Sequence, residues 1–142
     1  MTLKFPYQKY PDPDSKGGFF YSAVLPVSVA LPALHSPRSK RFEAYIDSGA
    51  TYCQFQSAMG RALGFDIEKG ELVKTMGISG PTEVYLHEIS LYLPGGIVST
   101  MATFSDSLPV LGLLGMKGFF EHFTVTFNPF AFRVELERIY SA

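Results

Sequence analysis

Between Phe19 and Leu31 every second residue is apolar: Phe19, Tyr21, Ala23, Leu25, Val27, Val29 and Leu31 share one parity. A β-strand sends alternate side chains to opposite faces, so the stretch reads as a half-buried strand and not a helix. Pro26 inside it has no backbone donor, which places it on an open edge or at a bend. After a polar connection over 32–40 the alternation resumes at Phe42, Ala44 and Ile46 and ends on Asp47. Further strands are expected over 72–76, 83–93, 97–104, 124–127 and 132–136. Between them lie the turn signals Gly77 to Pro81, Pro94-Gly95-Gly96 and Asn128-Pro129. Thirteen Phe, eight Tyr, thirteen Gly and ten Pro suit many short strands and tight turns, so the expected class is all-β. One short helix is expected from a Ser57 cap to a stop at Gly64, and a second over Met116 to Phe123.

At 142 residues the chain suits one domain, and no internal repeat divides it. Residues 1–18 carry Pro6, Pro11, Pro13, Gly17 and Gly18 among polar neighbours and read as an extended N-terminal arm; 19–142 form the folded domain. Twelve basic and thirteen acidic residues give a net charge of −1 with no basic face for nucleic acid or anionic lipid. No run is long and apolar enough for a membrane span, and the first ten residues lack the apolar stretch of a signal peptide, so a cytoplasmic location is expected. Cys53 is the single cysteine and reads as a small buried hydrophobe. His35, His87 and His122 are far apart. Neither a disulfide nor a metal cage can be drawn from such a set, and no cofactor is expected.

The chemistry concentrates at Asp47-Ser48-Gly49. A carboxylate at a strand end can act on water, the adjacent hydroxyl can hold the turn, and glycine lets the backbone turn sharply beside a substrate. One carboxylate alone is a poor peptide hydrolase. Two held within a few ångströms retain a proton between them, so that one member draws a proton from water while the other polarises the carbonyl. The chain contains one such motif, and Asp66 and Asp106 lie in loop contexts with no following glycine. A second carboxylate is therefore expected from a two-fold-related copy.

With these residues in view, the chain resembles the retropepsin-like, or retroviral-type, aspartic proteases over roughly Phe19 to Leu136. The resemblance rests on Ala44-Tyr45-Ile46-Asp47-Ser48-Gly49-Ala50-Thr51, on the Gly-tipped hairpin at Gly77 to Gly80, and on Leu113-Leu114-Gly115. It implies a closed, mostly antiparallel β-barrel with one or two short helices, working as a symmetric homodimer on extended peptides. It further implies Asp47 as catalyst, Ser48 as a grip across the dimer and Gly49 as a backbone contact. Met76, Gly77, Ile78, Ser79 and Gly80 become a flap tip, while Ala50, Thr51, Leu111, Leu113 and Leu114 line substrate pockets. Thr51, Tyr52 and Met116 stand where viral members often carry charged residues, so charged dimer contacts at those places are not expected. The competing reading is a catalytically weak or inactive peptide-binding or dimerisation module of the same fold.

Overall fold

The computed structural model describes residues 2–77 and 80–139. The chain opens with β1 (Thr2–Pro6), β2 (Gln8–Pro11), β3 (Phe19–Ser22), β4 (Val24–Ala30) and β5 (Phe42–Ile46). Next, β6 (Cys53–Gln56) runs into the helix α1 (Ser57–Ala62), and a 3-10 turn follows at Ile67–Lys69. The remainder is β7 (Glu71–Gly77), β8 (Gly80–Leu93), β9 (Gly96–Ser105), β10 (Gly112–Leu114), β11 (Phe123–Asn128) and β12 (Arg133–Arg138). The fold is all-β, as the alternation implied.

The main sheet runs β4-β5-β10-β6-β9-β8-β7, and β4 also pairs with β8. β4 manages both by switching partners: Val24–Val27 lie on β5 and Ser28–Ala30 on β8. That switch closes the sheet into a ring, with β7 outside it as the free arm of a long hairpin. All pairings in the ring are antiparallel except β10 with β5 and β6 with β9. Pro26 pairs with Glu43 in the half of β4 that has β5 as its only strand neighbour, so its missing N–H leaves no ladder bond unmade.

β4 is more enclosed than its alternation implied, since Val24, Ser28 and Ala30 are buried along with the inward parity. The connection after it folds back along the strand. Ser39 donates its amide to the Val29 carbonyl at 2.8 Å and accepts the Val29 amide on its hydroxyl at 3.0 Å, covering the second face.

Two strands occupy the first 18 residues. β1 lies antiparallel on β12 to give a three-stranded sheet β1-β12-β11, and β2 pairs with β3. Leu3 and Phe5 of β1 face the core. That core is continuous: Leu25, Val27, Phe55 and Phe104 from the ring pack in one cluster with Val134 and Leu136 from the smaller sheet. Aromatic rings fill its centre, with Phe55 and Phe104 centroids 6.3 Å apart and Phe65 4.9 Å from Phe104.

The helical expectations need correction. Gln56, not Ser57, is the N-cap of α1; Ser57 is already helical and buried, with no capping bond. Gly64 does end the helix, with φ +101° and its amide on the Arg61 carbonyl at 3.0 Å. The helix expected over Met116 to Phe123 is absent. Turns replace it, and bonds from Phe120 to Gly115 and from Glu121 to Met116 span five residues. The Met116 and Lys117 amides are bonded outward to the 47–52 loop, and Gly118 sits at φ +94°, which breaks a right-handed helix.

Candidate active site

β5 ends at Ile46 and delivers Asp47 to a half-buried position at the start of a tight loop. The Ala50 amide closes that loop on the Asp47 carbonyl at 3.2 Å. Inside it, the Gly49 amide donates to Asp47 Oδ1 at 2.9 Å, an Asx turn that fixes the carboxylate's direction. This is the carboxylate's only hydrogen bond among the described residues.

The loop's scaffold is β10, which lies between the strand entering the loop and the strand leaving it. It runs parallel to β5, with Leu113 beside Tyr45 and Leu114 beside Ile46, and antiparallel to β6, with Gly112 beside Phe55. Asp47 donates its amide to the Leu114 carbonyl at 2.9 Å. Met116 and Lys117 donate theirs to the Ala50 and Thr51 carbonyls at 2.8 and 2.9 Å. Gly115 must be glycine here: a Cβ would fall 2.4 Å from the Tyr52 carbonyl oxygen and 2.7 Å from that of Ala50.

Beneath the loop Cys53 is fully buried, accepting the Gly115 amide on Sγ at 3.4 Å and donating to the Lys117 carbonyl at 3.4 Å. Burial pushes its thiol up to about 11. It behaves as a small core residue, as its sequence context implied, with the added task of bridging two backbone groups of the loop's scaffold.

The remaining expected residues divide between two regions. Ser48, Gly49 and Thr51 are exposed on the loop and Ala50 is half-buried. Leu111 is exposed, bonding through its carbonyl to the Gln56 amide, and Leu113 is half-buried. Leu114 is corrected: it is fully buried in the core under Asp47, so it supports the loop and offers no surface to a ligand. Met76, Gly77 and Gly80 belong to the β7–β8 hairpin, whose register runs from Glu71 opposite Leu86 to Gly77 opposite Gly80. Met76 is 80% exposed, and Gly80 takes φ +109°, a conformation open to glycine. Ile78 and Ser79 lie outside the described residues. Among those described, no hydrogen bond joins the hairpin tip to the 47–51 loop. At its base the hairpin is anchored by His87, whose Nε2 lies 2.8 Å from the Ile67 carbonyl while the ring packs on Phe65 and Phe104.

Tyr10 was not foreseen. Its hydroxyl donates to Glu43 Oε2 at 2.7 Å, and its ring lies 5.7 Å from Tyr45 and 5.8 Å from Phe20. The β2–β3 ribbon is thereby docked on β5, the strand that carries Asp47. Desolvation first, and the Glu43 carboxylate second, raise the Tyr10 phenol well above its ordinary range. Pro6 before Tyr10, and Pro11, Pro13, Gly17 and Gly18 after it, hid this packing residue in the sequence.

Two surface concavities are not lined by Asp47: one of about 650 Å³ on the β2–β3 ribbon, and one of about 610 Å³ between β4, Arg38, Arg41 and Tyr92. The described residues hold no group of three or more His, Cys, Asp or Glu spaced for a metal ion, and no helix long and apolar enough to cross a membrane.

No family model and no curated protein matches the chain. Among solved structures, the crystal structure of a retropepsin-like aspartic protease from Rickettsia conorii superimposes with a TM-score of 0.60, covering 96% of this chain and 98% of that one at 14% sequence identity. The likeness establishes a retropepsin-like fold.

Proposed function

We propose that the chain is one half of a homodimeric aspartic endopeptidase that hydrolyses peptide bonds with water held between two copies of Asp47. The observation that carries the reading is the placement of the single Asp-Ser-Gly: half-buried at a strand end, aimed by the Gly49 amide and braced from below by β10. The retropepsin-like fold agrees with it. Two Asp47 carboxylates a few ångströms apart would share one proton. The ionised member takes a proton from water, the protonated one polarises the scissile carbonyl, and water adds without a covalent intermediate. The titration belongs to the pair.

In this scheme the exposed Ser48 hydroxyl, which has no hydrogen-bond partner among the described residues, grips the partner loop. Gly49 contacts substrate backbone, while Ala50, Thr51, Leu111 and Leu113 line side-chain pockets. The hairpin from Met76 to Gly80 closes over an extended peptide, pairing with it as an added strand. The scheme uses no metal or organic cofactor. Digestion of an unfolded peptide mixture from acidic to neutral pH, read by mass spectrometry, tests it against Asp47→Asn. Cleavage by the parent protein, reduced at least about 100-fold in the variant, is the expected result. Equal cleavage by both, or none at high protein concentration, overturns it; the second outcome favours a binding or dimerisation module.

A further inference from the structure

The five arginines of the chain divide into two kinds. Arg61 holds Glu68 and Asp106, and Arg133 holds Glu135. Arg38, Arg41 and Arg138 have no carboxylate partner among the described residues, and all three gather at the concavity of about 610 Å³ beside β4. Arg38 and Arg41 line it. Arg138 packs against Gly96, another lining residue, where an added Cβ would fall 2.8 Å from its Nη1. No acidic side chain lines the hollow. Glu43, two residues beyond Arg41, accepts the Tyr10 hydroxyl instead. Like charges gathered without a counter-charge repel one another, so the arrangement is short of an anion.

The hollow is held in shape by the sheet. It sits where β4 passes from its β5 pairing to its β8 pairing, between Val27 and Ser28. Arg38 is pinned by a bridge to Ala30 and by the two Ser39–Val29 bonds beside it, and its guanidinium stacks 4.9 Å over the Tyr92 ring. Stacking uses the flat face of the guanidinium and leaves its N–H edge for an oxyanion. Ser28, which also lines the hollow, is 7% exposed, and its hydroxyl has no hydrogen-bond partner among the described residues. A ligand oxygen would satisfy that buried group. We infer that the hollow binds a small organic phosphate monoester, its phosphoryl oxygens on Arg38, Arg41 and Ser28 and its organic part along Tyr92 and the exposed Ile97. Two guanidinium forks match the charge of about −1.5 to −2 on a phosphate monoester at pH 7, whereas a single carboxylate would leave one fork unmatched. About 610 Å³ is room for such a molecule. Arg41 precedes β5 and Asp47 follows it, so this site stands apart from the proposed chemistry.

Isothermal titration calorimetry with phenyl phosphate at fixed ionic strength tests the site, with inorganic phosphate and benzoate as comparison ligands. One phenyl phosphate per chain is expected, displaced by inorganic phosphate, with benzoate at least about tenfold weaker. Arg38→Gln and Arg41→Gln are each expected to weaken phenyl phosphate at least about tenfold, as the loss of a charged hydrogen-bond donor implies. Both side chains are exposed, so the variants keep the fold, which their thermal midpoints check. Arg61→Gln, which removes the same charge elsewhere, and Asp47→Asn are expected to bind within about twofold of the parent. Equal weakening in Arg61→Gln would show a response to net charge alone and overturns the site. Binding that Arg38→Gln and Arg41→Gln leave unchanged, or no binding of phenyl phosphate up to about 10 mM, overturns it as well. Benzoate as tight as phenyl phosphate overturns the phosphate assignment. Cleavage enters none of these readings, so failure of the protease reading leaves them untouched.

Discussion

Alanine at Gly115 is expected to destabilise the fold by about 1–3 kcal/mol, through a clash that no side-chain rotation can relieve. The added Cβ would meet the Tyr52 carbonyl oxygen at 2.4 Å, the Tyr52 carbonyl carbon at 2.7 Å and the Ala50 oxygen at 2.7 Å, all of them backbone. Those carbonyls are held by the Met116 and Lys117 amides, so relief has to stretch bonds worth about 0.5–1.5 kcal/mol each. The loss of unfolded-chain freedom on going from glycine to alanine offsets only about 0.4–1 kcal/mol. With an unfolding entropy of about 2.1 cal/mol/K per residue, 1 kcal/mol moves the midpoint of a chain this size by about 3 °C, so calorimetry is expected to show a drop of about 3–10 °C. Met116→Ala next door removes a half-exposed side chain and is expected to stay within about 0.5 kcal/mol of the parent. A Gly115→Ala midpoint within about 1 °C of the parent would refute the reasoning, since β10 and the loop would then be free to part.

Cys53 is expected to resist alkylation by iodoacetamide in the folded protein and to react once the chain is unfolded, because its thiol is buried with a pKa raised to about 11. The raised value also sets a pH dependence. Its stabilising contribution is intact below the ordinary thiol range near about 8.5 and is lost as pH rises through about 11. Denaturant titrations of Cys53→Ala are therefore expected to show a shallower alkaline loss than the parent. Tyr10→Phe removes one hydrogen bond at a half-buried position while keeping the ring against Tyr45, so a loss of about 1 kcal/mol is expected in the same titration.

Local patterns in the sequence carried the strands and the placement of Asp47. Alternation at Phe42, Ala44 and Ile46 depends on near neighbours alone, and so does the turn chemistry of Asp47-Ser48-Gly49. What was not legible depends on partners far along the chain. Met116 to Phe123 has a helical composition, yet Met116 and Lys117 give their amides to Ala50 and Thr51, a demand no window around Met116 reveals. Leu114 looks like a pocket wall beside Leu113, but alternation on β10 sends its side chain into the core. Tyr10 sits among residues that discourage regular structure, and only the arrival of Glu43 and Tyr45 makes it a packing residue.

The insertion of β10 between β5 and β6 also bears on the order in which the chain assembles. Cys53 and Gly115 are 62 residues apart in sequence, and Cys53 and Lys117 are 64 apart, yet both contacts are needed to shape one short loop. Bringing such distant segments together requires closing a long stretch of chain before any contact rewards it, so these are expected to be late events in folding. During synthesis Asp47 emerges ahead of residues 112–117, and its scaffold does not exist until they have followed. A nascent chain ending before Gly112 would carry the carboxylate without the strand that aims it.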